Sequence, residues 1–194
     1  MAKRLDDEIE AEELFQRADS FHQSALLLGG FPVQVSAIYF QGGILCGSCA
    51  VELYMKILAQ IERREPPLWG HDISSLIQDL SPKTQRRLKQ SWIAENGEFI
   101  ALAKSFKKGR KDWQSLPTNY ESALALSAEA FVEWRYGRKT TIKGWFIGSH
   151  AAELRKIILE LKPEWAPSAA ARVRFDPHAQ LRAAKDKQPI KPRG

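Results

Sequence analysis

The chain has 194 residues, 44% of them hydrophobic and 27% charged, an ordinary balance for one domain with a sizeable core. Its formal charge of +6 invites a nucleic-acid reading. Yet +5 of that charge lies between Arg172 and Gly194, where seven basic residues stand against two acidic ones, so any nucleic-acid surface on the body is a local patch.

In chain order, the opening MAKRLDDEIEAEE lacks the apolar core of a signal peptide. Two cysteines in such a chain match a reducing setting, and a cytoplasmic location is expected. Leu5 to Leu28 predicts a first helix, with Leu5, Ile9, Phe15, Ala18, Phe21, His22, Ala25 and Leu28 at helical spacing. Its acidic start (Asp6, Asp7, Glu8) suits the positive end of the helix dipole, and Gly29-Gly30 ends it. No residue from Gln23 to Val51 is charged, which raises the question of a membrane span. Gly29-Gly30-Phe31-Pro32 interrupts that run, and Gln34, Gln41 and Gly42-Gly43 follow, so we read it as a buried helix and expect no membrane.

Pro32 opens a second helix from about Val33 to Arg63. Gly42-Gly43 costs about 1 kcal/mol per glycine relative to alanine, which calls for a kink or a close neighbour. Cys46, Ala50, Leu53, Tyr54, Ile57, Leu58 and Ile61 form its apolar stripe, and Glu52 and Lys56 pair four residues apart on the other side. Pro66-Pro67 stops the helix. Past Gly70, Asp72 is a natural N-cap, followed by Ile73, Leu76, Ile77 and Leu80.

Ser81-Pro82 reads as N-cap and first position of a third long helix, with Leu88, Trp92 and Ile93 on one face. Asn96-Gly97 signals a turn, and Phe99 to Phe106 a short further helix. Glu121 to Tyr136 is periodic through Leu124, Ser127, Phe131 and Trp134. Arg138 to Phe146 reads as loop or extended chain, and Ser149 to Leu161 as a last helix that Pro163 ends. Five of the ten prolines lie from Pro163 onward. Residues 1–162 are therefore read as the body and 163–194 as a flexible basic tail. With no internal repeat and no alternating strand, the fold class is all-α, an antiparallel helical bundle.

Three constellations could carry chemistry. Cys46-Gly47-Ser48-Cys49 is a C-x-x-C, read either as a redox pair at a helix N-terminus or as small apolar packing. Without a second pair or nearby histidines it is a poor zinc site, and no metal or other cofactor is expected. Arg64 and His71, with six residues between them, supply a phosphate-holding guanidinium and an imidazole that exchanges protons near neutral pH. These are the parts of metal-free RNA cleavage. The plainer reading is a helix C-terminal cation and a loop histidine. Phe131 to Tyr136, FVEWRY, sets Arg135 beside aromatics that stack a base or fill the core, and Arg135 could instead pair with a carboxylate such as Glu52.

Taken together, Ala50 to Lys56 (AVELYMK), Gly70 to Leu76 (GHDISSL) and Phe131 to Tyr136 resemble, in order and spacing, the HEPN family (higher eukaryotes and prokaryotes nucleotide-binding domain). The resemblance covers roughly Leu5 to Tyr136. It implies an up-and-down helical bundle that homodimerises. Many members are metal-independent ribonucleases with an R-x(4–6)-H motif, often toxins, whose site forms where two protomers meet. Carried onto this chain, it assigns catalysis to Arg64 and His71, phosphate or nucleotide contact to Lys56 and Arg135, and structural support to Glu52 and Asp72. Glu65 stands where active members commonly carry a small polar residue, and Pro66-Pro67 stiffens the linker. The implied partners are RNA or a nucleotide, a second copy, and a cognate antitoxin or nucleotidyltransferase. The competing expectation is a non-catalytic nucleotide- or partner-binding module.

Overall fold

A computed structural model describes residues 2–29, 33–63, 70–106, 116–127 and 147–167. The described chain is an all-α helical bundle, with no strand among the described residues. Its helices are α1 (Ala2–Gly29), α2 (Val33–Arg63), α3 (Ile73–Gln78), α4 (Pro82–Phe106), α5 (120–127) and α6 (His150–Leu161). A 3-10 turn, Pro163–Trp165, follows α6.

The second helix is the axis of the bundle. α2 packs against α1, α3 and α6, and α6 also touches α1 and α4. From Ala50 to Ala59 its residues are buried around most of its circumference, Val51, Tyr54, Met55, Ile57 and Leu58 completely. A helix surrounded by neighbours needs apolar residues on every side. This accounts for Gln41–Arg63 being long and apolar enough, by length and composition, to cross a membrane, with 61% of its most apolar window buried inside the fold. It also changes the reading of Glu52 and Lys56. They do not sit on a solvent face: Glu52 is buried and only 14% of the Lys56 side chain is exposed.

Gly42 and Gly43 face a neighbour across the α1–α2 contact. A Cβ on Gly42 would stand 3.4 Å from the Leu28 side chain, and one on Gly43 3.5 Å from Leu28 Cβ. Both are ordinary van der Waals distances, so the two long helices touch there without excluding a Cβ, and α2 continues through both glycines.

Along α1, from residue 10 onward, the buried positions are Ala11, Phe15, Ala18 and His22, spaced four, three and four, while Phe21 is exposed. Ile93 and Leu161 also face outward, unlike their expected stripes, because the packed faces run through Leu88 and Trp92 in α4 and through Leu154, Ile157 and Ile158 in α6. α4 does not break at Asn96-Gly97. The Asn96 amide turns back and donates to the Trp92 carbonyl at 2.9 Å, so a residue that often caps a helix bonds within this one. The expected short piece from Phe99 to Phe106 is the end of α4.

α6 ends before Pro163 as expected, and the described chain continues through the 3-10 turn. Trp165 is buried and its ring lies 5.7 Å from that of Phe15. Residues 168–194, most of the expected tail, lie outside the described residues, as do 128–146, which contain the FVEWRY segment and the expected Arg138–Phe146 loop.

Candidate functional site

The corner between α2 and α4 is built by caps. Glu62, in the last turn of α2, accepts from the Ser81 backbone amide at 2.6 Å, the Ser81 hydroxyl at 2.9 Å and the Thr84 hydroxyl at 2.5 Å. Ser81 Oγ in turn accepts from the Thr84 amide at 3.3 Å, the N-cap expected ahead of Pro82. Arg63 adds an ion pair to Asp79 at 2.9 Å. The end of α2 and the start of α4 are thus tied together, and the segment carrying Gly70, His71 and α3 is held between them.

Within that segment Gly70 has φ of +120°, a conformation that L side chains rarely adopt. Asp72 caps α3, accepting from the Ser74 amide at 2.9 Å and the Ser75 hydroxyl at 3.0 Å. Ile73, Leu76 and Ile77 seat α3 in the core. His71 stands at the head of this anchored turn.

His71 then meets the core. Its Nδ1 lies 2.8 Å from Glu52 Oε1, and Lys56 Nζ donates to the same oxygen at 2.7 Å. A carboxylate only accepts, so in this contact Nδ1 carries the hydrogen. Glu52 is almost enclosed, whereas 52% of the His71 side chain is exposed. A buried acid holding a half-exposed imidazole is how a protein orients a general base. The structure therefore brings together Glu52, Lys56 and His71, while Asp72, next in the chain, caps α3. Lys56 enters the cluster as the ion-pair partner of Glu52, its charge spent on that carboxylate. Arg64 and Arg135 lie outside the described residues.

A second polar cluster was not anticipated. Asp19 of α1 accepts from the Tyr54 hydroxyl at 2.9 Å and from Arg155 through both Nε and Nη2, joining α1, α2 and α6. Burial, with Asp19 adding to it, drives the Tyr54 hydroxyl far above the usual phenol range. The bond to Asp19 raises the pKa of Arg155 and outweighs its burial. One signal was available: Asp19, four residues past Phe15 and three before His22, falls on the buried side of α1, where an unpaired acid would be costly. A third pair, Tyr120 and His150, is buried with Tyr120 Oη 3.0 Å from His150 Nε2.

The C-x-x-C falls in the middle of α2, not at a helix N-terminus. Burial raises the pKa of the Cys46 thiol, opposite to the thiolate stabilisation that redox cysteines need. Cys46 and Cys49 are both half-buried, in keeping with a packing role. Among the described residues, no three His, Cys, Asp or Glu side chains come together as a metal-binding group.

No family model, no curated protein and no solved structure matches this chain. Assignment rests on the residues themselves.

Proposed function

We propose that this chain is a HEPN-like helical bundle acting as a homodimeric, metal-independent endoribonuclease, with His71 as its acid–base group and Arg64 as its phosphate-holding cation. The observation that carries the reading is the 2.8 Å contact between buried Glu52 and half-exposed His71. A histidine needed only for packing has no reason to present half its ring to solvent while a buried acid fixes its tautomer. The A-x-E-L-x-x-K and G-H-D resemblance supplies the reaction class.

In this mechanism His71 Nε2 takes the proton of a ribose 2′-hydroxyl. The 2′-oxygen attacks phosphorus, the bond from phosphorus to the 5′-oxygen breaks, and a proton passes to that leaving oxygen from His71 of the partner subunit. Arg64 neutralises the phosphorane. Glu52 orients His71, and Lys56 keeps Glu52 compensated inside the core. The products are a 2′,3′-cyclic phosphate and a 5′-hydroxyl.

The test is to incubate purified protein with RNA in EDTA and analyse the new ends. Cyclic phosphate ends that disappear in His71→Ala support the reading. Ends bearing a 5′-phosphate contradict it. If the folded protein cuts nothing, the alternative stands: a non-catalytic nucleotide- or partner-binding module, such as the partner of a nucleotidyltransferase.

A further inference from the structure

Away from the Glu52–His71 corner, α6 steers the chain toward the start of α1. Gly148, just before α6, and Ala151 share a cleft with His22 and Ala25. Arg155 then bonds Asp19, and the Trp165 ring lies 5.7 Å from that of Phe15. The partners on α1 thus step back toward its N-terminus as α6 and its 3-10 turn advance. The described chain ends at residue 167, beside the first turns of α1.

Those turns are acidic. From Asp6 to Glu13 the sequence holds six acids and no base. Glu10, Glu12 and Glu13 are exposed. Glu13 is shared with Arg17 at 3.9 Å, and Glu164, where the chain exits, with Lys162 at 3.6 Å. Glu10 and Glu12 form no ion pair among the described residues. Residues 168–194 carry the opposite charge, seven bases against two acids. The first two bases, Arg172 and Arg174, follow Pro167 by five and seven residues. An extended chain covers about 3.3 Å per residue. Both arginines therefore reach Glu12 and Glu10, which lie within about two helical turns of Phe15.

We propose that residues 168–194 dock along the acidic first turns of α1 in their own chain, with Arg172 and Arg174 paired to Glu12 and Glu10. Exposed pairs of this kind are individually weak. Tethering offsets that weakness, because a segment that starts beside its site meets it at an effective concentration on the order of mM. The tether also favours α1 of the same chain over a second copy at lower concentration. Docking does not depend on the ribonuclease reading.

The test is zero-length carbodiimide cross-linking of the full chain in low salt, read by mass spectrometry. Cross-links from Lys185 and Lys187 should concentrate on Glu10, Glu12 and Glu13 rather than on the exposed Glu95 and Glu98 of α4. Raising the salt to about 0.5 M, where charges are screened beyond about 4 Å, should lower the α1 yield several-fold. Arg172→Glu with Arg174→Glu should lower it about fivefold, two pairs being lost and their sign reversed. Adding Glu10→Lys and Glu12→Lys to that variant should create cross-links between positions 10 or 12 and positions 172 or 174. An equimolar mixture of isotope-labelled and unlabelled protein separates the sources, since docking within one chain joins only peptides of the same label. Mixed-label pairs would show that the segment serves a second copy, and the proposal fails. Cross-links spread evenly over the body overturn it too, as does an unchanged yield in high salt or in the arginine variant. The wild-type distribution and its salt response need no variant, so a variant that does not fold leaves the test intact.

Discussion

His71 Nδ1 stands 2.8 Å from Glu52 Oε1, and the same oxygen accepts from Lys56. A half-exposed ring is thereby tied to an acid in the middle of the bundle. If Glu52 is replaced by alanine, Lys56 is left with most of its side chain buried and its carboxylate gone. Breaking one side of such a pair costs about 3–5 kcal/mol, and urea denaturation should register a loss of that order. The double variant Glu52→Gln with Lys56→Met should recover most of it, because no uncompensated charge remains. A single-variant loss below about 1 kcal/mol would show that the pair is solvated like a surface bridge.

Gly70 sets where His71 points. At φ of +120° a side chain is strained, although a Cβ there meets nothing within 4 Å. Gly70→Ala should therefore cost about 1–3 kcal/mol of backbone strain, or else relax by turning His71 away from Glu52. On the ribonuclease proposal, loss of the His71–Glu52 contact lowers RNA cleavage. NMR of the His71 ring distinguishes them through the presence or loss of the Nδ1–H hydrogen-bonded to Glu52.

Glu62 does for the frame what Glu52 does for the imidazole. Its carboxylate takes three hydrogen bonds from Ser81 and Thr84, each charge-assisted. Glu62→Ala should destabilise the fold by about 2–4 kcal/mol. Ser81→Ala, which leaves the backbone amide in place, should cost less than half as much by the same thermal or urea measurement.

Stability should fall in mild acid because of His150. This buried histidine has its pKa lowered to about 4 by desolvation, from an ordinary value of 6.5. The unfolded chain therefore takes up the proton first as pH falls. The contribution is full above pH 6.5 and is lost progressively toward pH 4, by roughly 3 kcal/mol at most. His22, lowered by burial as well, acts in the same direction. Urea midpoints measured from pH 7 to pH 4.5 should decline for the wild type and decline less for His150→Gln.

How much of this was legible in the sequence depended on how local the cause was. The bounds of α2, the Asp72 cap and the Ser81-Pro82 start follow from proline, glycine and capping chemistry within a few residues, and each stands where the pattern put it. Gly42-Gly43 announced a close neighbour, and Leu28 is that neighbour. Asn96-Gly97 misled because the same amide that caps one helix bonds back to Trp92 inside another. Glu52 and Lys56 looked like a surface pair because spacing reports a face of the helix, not whether that face is covered, and here α2 is covered nearly all round. The Glu52–His71 contact joins residues 19 apart, and the Asp19–Arg155 contact residues 136 apart. No local pattern encodes such pairs. They become visible only once the helices are packed.

The most direct test of the ribonuclease account is the rate of RNA cleavage in EDTA by the wild type beside His71→Ala and Arg64→Ala, all three checked for folding by circular dichroism. The account predicts that the wild type cuts and that His71→Ala falls by roughly a hundredfold or more, the usual contribution of a positioned acid–base group. Arg64→Ala should fall by a similar factor through loss of transition-state charge stabilisation. Equal cutting by all three, or none by the folded wild type, would contradict it.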